Sequence, residues 1–224
     1  MGCLLKQGGG LYEQLRVGAV LLAAGEGSRM GHVPKCLLKL QGVPLINRHL
    51  IAMSGGGINE VVVVTGFYHE QIEPSVESFP VTVVRNPQPE QGQQSSVKLG
   101  LEALGSKFDI VLIALADQPL IGSAELTELI AAFKKRPPGT CVVYPEVRGQ
   151  RGNPVAFSGE VIASMLESGK NIGCRKFVDA NPALVHKLET DNDRFILDLD
   201  TPDDIASFEQ RTGWVLTMPD PVSS

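Results

Sequence analysis

The sequence predicts an α/β fold, a three-layer α/β/α sandwich around a mostly parallel central sheet. Three observations predict it. Short apolar, β-branched runs alternate with longer segments of helical period, and strand-then-helix repetition builds βαβ units whose strands run parallel. The run Ile110-Val111-Leu112-Ile113-Ala114-Leu115 is apolar throughout, as a strand covered on both faces must be. Three polar-rich segments follow such runs: Gly25 to Lys35, Ala116-Asp117-Gln118-Pro119, and Asp198 with Asp200. In open α/β sheets the ligand sits beyond the carboxyl ends of the strands, so these three segments converge on one site.

In chain order, strands are predicted over Gly18–Ala23, Glu60–Thr65, Val81–Arg85, Asp109–Ala114, Thr140–Tyr144, Asn153–Phe157, Leu184–Leu188 and Phe195–Leu197. Helices are predicted over Leu45–Ser54, His69–Glu73, Ser95–Leu104, Ala124–Lys135, Glu160–Met165, Cys174–Asn181 and Pro202–Arg211. The last has the clearest start. Thr201 reads as an N-cap, Pro202 as the first helical residue, and Asp203 and Asp204 as acidic complements to the helix dipole. The chain divides into a frayed leader over residues 1–15, one domain over 16–212, and a loose tail over 213–224 that carries Pro219 and Pro221.

Of the 224 residues, 43% are hydrophobic and 20% charged, an ordinary globular composition. A net charge of −5 argues against general nucleic-acid binding, which wants a basic face. No apolar run reaches the length of a membrane span. The start, Met1-Gly2-Cys3, lacks the Ser or Thr that myristoylation needs where Lys6 stands. Cys3, Cys36, Cys141 and Cys174 show no metal spacing and read as reduced thiols of a cytoplasmic protein.

The glycine-rich loop Gly25-Glu26-Gly27-Ser28-Arg29-Met30-Gly31 follows the first strand directly, and glycines there let backbone N–H groups approach a phosphate. Walker A fails, because no Gly-Lys-Ser/Thr occurs. The dinucleotide fingerprint fails too: the third glycine comes four residues after the second, and the second strand ends in Thr65-Gly66 without a ribose-gripping acid. Arg29 and Lys35 suit a ligand with several negative charges. On spacing alone, a plain turn with two solvated cations accounts for the loop equally well.

Asp117 emerges from a buried strand beside that loop, a natural place for a magnesium ligand, because Mg²⁺ takes one or two carboxylates together with phosphates and water. A turn hydrogen bond or a cap is the rival role. Asp198 and Asp200 alternate with Leu197 and Leu199, so as strand neighbours both point one way and either can face a cation. His32 reads as a solvated loop residue, and His49, His69 and His186 lie away from every motif. Tyr68 stands at another strand end, bordering the acceptor pocket or simply packed.

Together these segments resemble the MobA-like nucleotidyltransferase family, and within it the molybdenum cofactor cytidylyltransferases. The resemblance rests on Leu22-Ala23-Ala24-Gly25-x-Gly27-x-Arg29-Met30-Gly31, Pro34-Lys35, Asn86-Pro87 through Ser95-Ser96-Val97, Ala116-Asp117-Gln118-Pro119, Gly152-Asn153-Pro154-Val155 and Leu197-Asp198-Leu199-Asp200-Thr201-Pro202, in family order from about Val17 to Glu209. It implies a Rossmann-like sandwich of the nucleotide-diphospho-sugar transferase type. It also implies that Leu22, Ala23, Ala24, Gly25, Gly27, Ser28, Arg29 and Lys35 hold a nucleoside triphosphate, with Ser95 and Ser96 opening a helix near the nucleotide. Arg29, Lys35 and Asp117 would be catalytic, and Asp117 would bind Mg²⁺ with Asp200 or Asp198. Relatives using guanine nucleotides carry a second glycine where Ala24 stands, so Ala24 points to CTP. Asn153 and Pro154 fall at the acceptor segment, where cytidylyltransferases of this kind usually show histidine in place of Asn153; that leaves the acceptor open. A molybdopterin-type acceptor and a molybdoenzyme or maturation-factor partner follow from the resemblance. Sugar-phosphate or methylerythritol-phosphate transfer, or a non-catalytic escort role, are the alternatives.

Overall fold

The run Val17–Ala23 forms strand β1, and all seven of its residues are buried. Its alternate side chains face opposite ways, as period-2 geometry requires: Ala19 and Leu21 enter one hydrophobic core, Val20 and Leu22 the other. A sheet so covered on both faces needs two layers of helix, and the computed structural model, which describes residues 15–167 and 173–219, has them.

After β1 come β2 (Lys39–Leu40), β3 (Val43–Pro44), α1 (Leu45–Gly55), β4 (Glu60–Thr65), α2 (His69–Val76), β5 (Thr82–Arg85), α3 (Gln93–Leu104) and β6 (Ile110–Leu115). Then follow α4 (Ser123–Lys135), β7 (Val142–Val147), β8 (Gln150–Arg151), β9 (Val155–Ser158), α5 (Gly159–Glu167), α6 (Cys174–Ala180), β10 (Val185–Glu189), α7 (Pro202–Thr212) and β11 (Leu216–Thr217). The main sheet runs β10-β7-β9-β6-β1-β4-β5, with β8 paired to β7. Only β8 and β9 run against the rest, so the sheet is mostly parallel, as predicted. Helices α1, α2 and α4 pack on one face, through residues such as Met53, Ile72 and Phe133. Helices α3, α5 and α6 pack on the other, through Leu101, Ile162 and Val178.

Three expectations are corrected. Phe195–Leu197 is not a strand: Asp193–Phe195 makes one 3-10 turn and irregular chain follows. Phe195 is fully buried, and its carbonyl accepts from Asn153 N at 2.8 Å and Gln118 Nε2 at 3.1 Å, so loop partners take the bond a ladder would need. The segment after Trp214 is not loose throughout: Leu216 and Thr217 pair antiparallel with Leu40 and Lys39, completing a small sheet β11-β2-β3. Helix α3 begins at Gln93, two residues before Ser95. The leader lies outside the described residues except for Leu15. No helix among the described residues is long and apolar enough to cross a membrane.

The small sheet bears on the site. Leu40, Leu45, Phe208 and Leu216 form a third core with Met30 of the glycine loop and Leu199 of the acidic segment. Two of the three site segments are thus anchored in one hydrophobic cluster beneath the sheet's carboxyl edge.

Candidate active site

The glycine loop is shaped by its own backbone. Gly27 sits at φ 62°, where an L side chain is strained, and a Cβ there would strike the Val33 carbonyl oxygen. Its own carbonyl accepts from Met30 N at 2.9 Å and His32 N at 3.1 Å, closing a tight turn over Ser28–Met30. Gly25 is different. A Cβ there meets nothing within 4 Å and its φ is unexceptional, so the fold does not require glycine; a close-approaching ligand would. The Tyr68 hydroxyl donates to the Glu26 carbonyl at 2.7 Å, tying the loop to the end of β4.

Parallel register brings the three segments together. Ala23 pairs with Thr65 of β4 and Leu22 with Leu115 of β6, so the loop leaves β1 between Gly66-Phe67-Tyr68 on one side and Asp117 on the other. Lys35 Nζ donates to Asp117 Oδ2 at 2.8 Å and to Asp200 Oδ1 at 2.7 Å. Burial alone would lower the Lys35 pKa, but the two carboxylates outweigh it and hold the ammonium above its ordinary value. Arg29 Nη1 reaches Asp200 Oδ2 at only 3.4 Å with its side chain 74% exposed, a weak pair that leaves the guanidinium free to swing. Asp204 Oδ2 accepts from the amides of Asp200 and Thr201 at 3.0 and 2.7 Å, and Thr201 Oγ1 caps Asp204 N in return. The capping box that starts α7 therefore also fixes the backbone of Asp200.

Asp198 and Asp200 both line the cavity although no strand sets their alternation; fully buried Leu199 between them turns both outward. Desolvation, then the carboxylates of Asp117 and Asp200, raise the Asp198 pKa. Asp117 Oδ1 is buried with no hydrogen-bond partner. Lys35 stands between two of the carboxylates, and among the described residues no three His, Cys, Asp or Glu groups are set to hold a metal ion by themselves.

A cavity of about 800 Å³ gathers Leu22, Ala23, Ala24, Gly25, Gly27, Ser28, Arg29, Lys35, Ser96, Asp117, Asp198 and Asp200. Ser95 does not line it: its hydroxyl donates to the Gly92 carbonyl and accepts from Asn86 Nδ2, a bond that Asn86 extends to Ser96 Oγ at 2.9 Å. Asn153 and Pro154 also lie outside the lining, just before β9 near the same edge. Sequence reasoning missed Phe67, Pro89 and Gln93 in the wall. The strand-end rule applied to β4 and β5 as well as to β1 and β6 would have found them.

His49 is the clear correction at the site. Expected to lie away from every motif, it is 1% exposed on α1 and close enough to Asp117 to feel its charge. Burial pushes its pKa down to about 4, with Asp117 and the Gln118 backbone opposing. A histidine with a depressed folded pKa leaves the unfolded chain holding more protons between pH 4 and 6.5, so stability falls as pH drops through that window. Melting temperatures of the wild type and His49→Leu should diverge there, the variant losing less; parallel curves would contradict it. Cys36, buried beside the same group, has its thiol pushed up to about 12 by burial first and by Asp117 second, which keeps it a thiol. Cys141 and Cys174 are also free, and Cys3 lies outside the described residues.

A mostly parallel sheet with a glycine loop, a lysine clamped between carboxylates and a partly buried aspartate at its carboxyl edge is the setting of a nucleotidyltransferase, the class to which the family match assigns the chain. The chain belongs to the MobA-like NTP transferase domain family, which it matches over residues 19–186. It is 30% identical over 194 residues to the nicotine blue oxidoreductase of Paenarthrobacter nicotinovorans, covering 83% of this chain and 92% of that protein. A nucleotidyl transferase from Methanothermobacter thermautotroptrophicus superposes with TM-score 0.71 at 25% identity, over 88% of this chain and 97% of that one. Rv0371C from Mycobacterium tuberculosis H37Rv, solved as a complex with manganese, superposes with TM-score 0.69 at 22% identity, over 87% and 98% of the two chains, and so shows the fold alone.

Proposed function

We propose that this protein moves CMP from CTP to a phosphorylated acceptor of the molybdopterin type, with Mg²⁺, releasing pyrophosphate. The carrying observation is Lys35 held between Asp117 and Asp200 at the foot of the glycine loop. An acceptor phosphate oxygen attacks the α-phosphorus, the bond from that phosphorus to the bridging oxygen of the β-phosphate breaks, and pyrophosphate leaves. Little covalent work falls to the protein; it positions phosphates and balances charge. Backbone amides around Gly25 cradle the chain of phosphates. Lys35 is a fixed positive charge at its root, and mobile Arg29 closes over the leaving pyrophosphate. The choice of CTP rests on the family resemblance, in which guanine-using relatives carry a second glycine where Ala24 lines the cavity.

The residues fit a divalent cation. Five carboxylates (Glu26, Glu90, Asp117, Asp198, Asp200) and two cations (Arg29, Lys35) line the cavity, a field that repels a bare triphosphate. Asp117 offers a buried, unpartnered oxygen, and Asp200 or Asp198 a second, which with phosphate oxygens and water meets the needs of Mg²⁺. When bound, the ion neutralises charge on the phosphates.

Pyrophosphate release should be fastest with CTP, Mg²⁺ and a molybdopterin-type acceptor, compared with GTP, ATP, UTP, sugar phosphates and methylerythritol phosphate. No release in any combination would refute the reading. Gly25→Ala isolates the phosphate contact: melting should not change, because the added methyl meets no protein atom, while CTP affinity should fall roughly tenfold. Unchanged CTP affinity would remove Gly25 from the site. A second reading, an oxidoreductase, has the 30% identical nicotine blue oxidoreductase behind it. The missing dinucleotide fingerprint weighs against it, and nicotinamide-dependent turnover of nicotine blue by the protein would reverse that order.

A further inference from the structure

We propose that Phe67 is the face on which the nucleobase stacks. The inference rests on the nucleotide reading above and adds to it a specific residue and its chemistry. Phe67 is 40% exposed in the cavity wall, and it joins none of the three hydrophobic cores, whereas its neighbour Tyr68 packs against one. A large ring left open at a site edge gains most of what burial offers only when a ligand covers it.

Its backbone is held on both sides. A Cβ on Gly66 would lie 2.9 Å from the Ala24 carbonyl oxygen and from Pro89 Cβ, so two other chain segments close on that residue. On the other side the Tyr68 hydroxyl is bonded to Glu26. Phe67 is thus presented on a fixed frame, which lowers the ordering cost of stacking.

Position assigns the ring to the base. Both cations of the lining belong to the loop and its continuation, and both bond the acidic cluster on the β6 side of β1. Phe67 leaves β4 on the opposite side of β1. Strands lie about 4.8 Å apart, so β6 to β5 spans roughly 14 Å, across which a nucleotide extends from charged tail to flat ring. With phosphates on the β6 side, the base lies against β4.

Calorimetric titration with CTP and with inorganic tripolyphosphate, both with Mg²⁺, tests this on the whole protein. Phe67→Ala should bind CTP about 10- to 100-fold more weakly, the range for loss of one base–aromatic stack, and tripolyphosphate as the wild type does. Phe67→Trp should restore CTP affinity, with emission quenched on binding beyond any change at the single native Trp214. Wild-type CTP affinity in Phe67→Ala, or an equal loss of both ligands, would overturn the proposal. Failure of the wild type to bind either ligand would instead remove the nucleotide reading beneath it.

Discussion

Asp117→Asn is expected to lower pyrophosphate release by about 10²–10³, the usual cost of removing one preorganised electrostatic group from a transition state, while leaving the fold intact. The two oxygens of Asp117 have different partners. Oδ2 accepts from Lys35 at 2.8 Å, and an asparagine carbonyl can still take that bond. Oδ1 is buried with no partner, and there the variant puts an NH₂ donor where the proposal places a cation. Shape survives; charge and one ligand atom do not. Raising Mg²⁺ should recover part of the loss by mass action, because Asp200 and Asp198 remain on the wall. Pyrophosphate release measured across a Mg²⁺ series, with melting followed in parallel, separates the cases. Near-normal turnover at low Mg²⁺ would end the catalytic assignment of Asp117, and a collapsed melting transition would make the residue structural.

What the sequence made legible was local. The apolar runs of β1, β4 and β6 announce themselves because a strand buried on both faces has no polar residue to spare, and the start of α7 is written in four consecutive residues. The non-local features stayed hidden. The backbone of Phe195 is claimed by Gln118, 77 residues away, so a strand-like pattern became a turn. The two-residue strand β11 exists only because Leu216 returns to Leu40, far beyond the reach of any periodicity. His49 reads as an ordinary helical residue, and only the packing of α1 under the sheet edge sets it near Asp117. The same division holds at the site. Glycines and charges after strand ends marked the loop, Asp117 and the two later aspartates. Phe67 escaped because an aromatic residue in sequence looks like core, and its exposure is a tertiary fact. Nor did spacing show that Lys35 would stand between two carboxylates.

That position makes Lys35 the second large lever. Its side chain is 15% exposed and serves two carboxylates, Asp117 and Asp200, with Asp198 close enough to raise their mutual cost. Lys35→Met removes the only cation in contact with Asp117 among the described residues and should lower turnover by about 10²–10³. Its melting temperature should also rise more steeply with Mg²⁺ than the wild type's, because a divalent ion then supplies the counter-charge the ammonium gave. Lys35→Arg should not rescue fully. A planar fork does not present one nitrogen at 2.7 and 2.8 Å to two separate carboxylates as a compact ammonium does. The pH behaviour follows from the sign of the shift. The Lys35 pKa is raised above 10.5 in the folded protein, so its stabilisation is fully present below that value and fades only as pH climbs through the higher folded pKa. Lys35 therefore stays charged throughout the pH range 7–9, and no step in turnover there belongs to it. A pH–rate profile with a midpoint between 7 and 9 that disappears in Lys35→Arg would show a neutral lysine at work, and with it a proton-transfer role in place of the fixed charge argued from its two carboxylates.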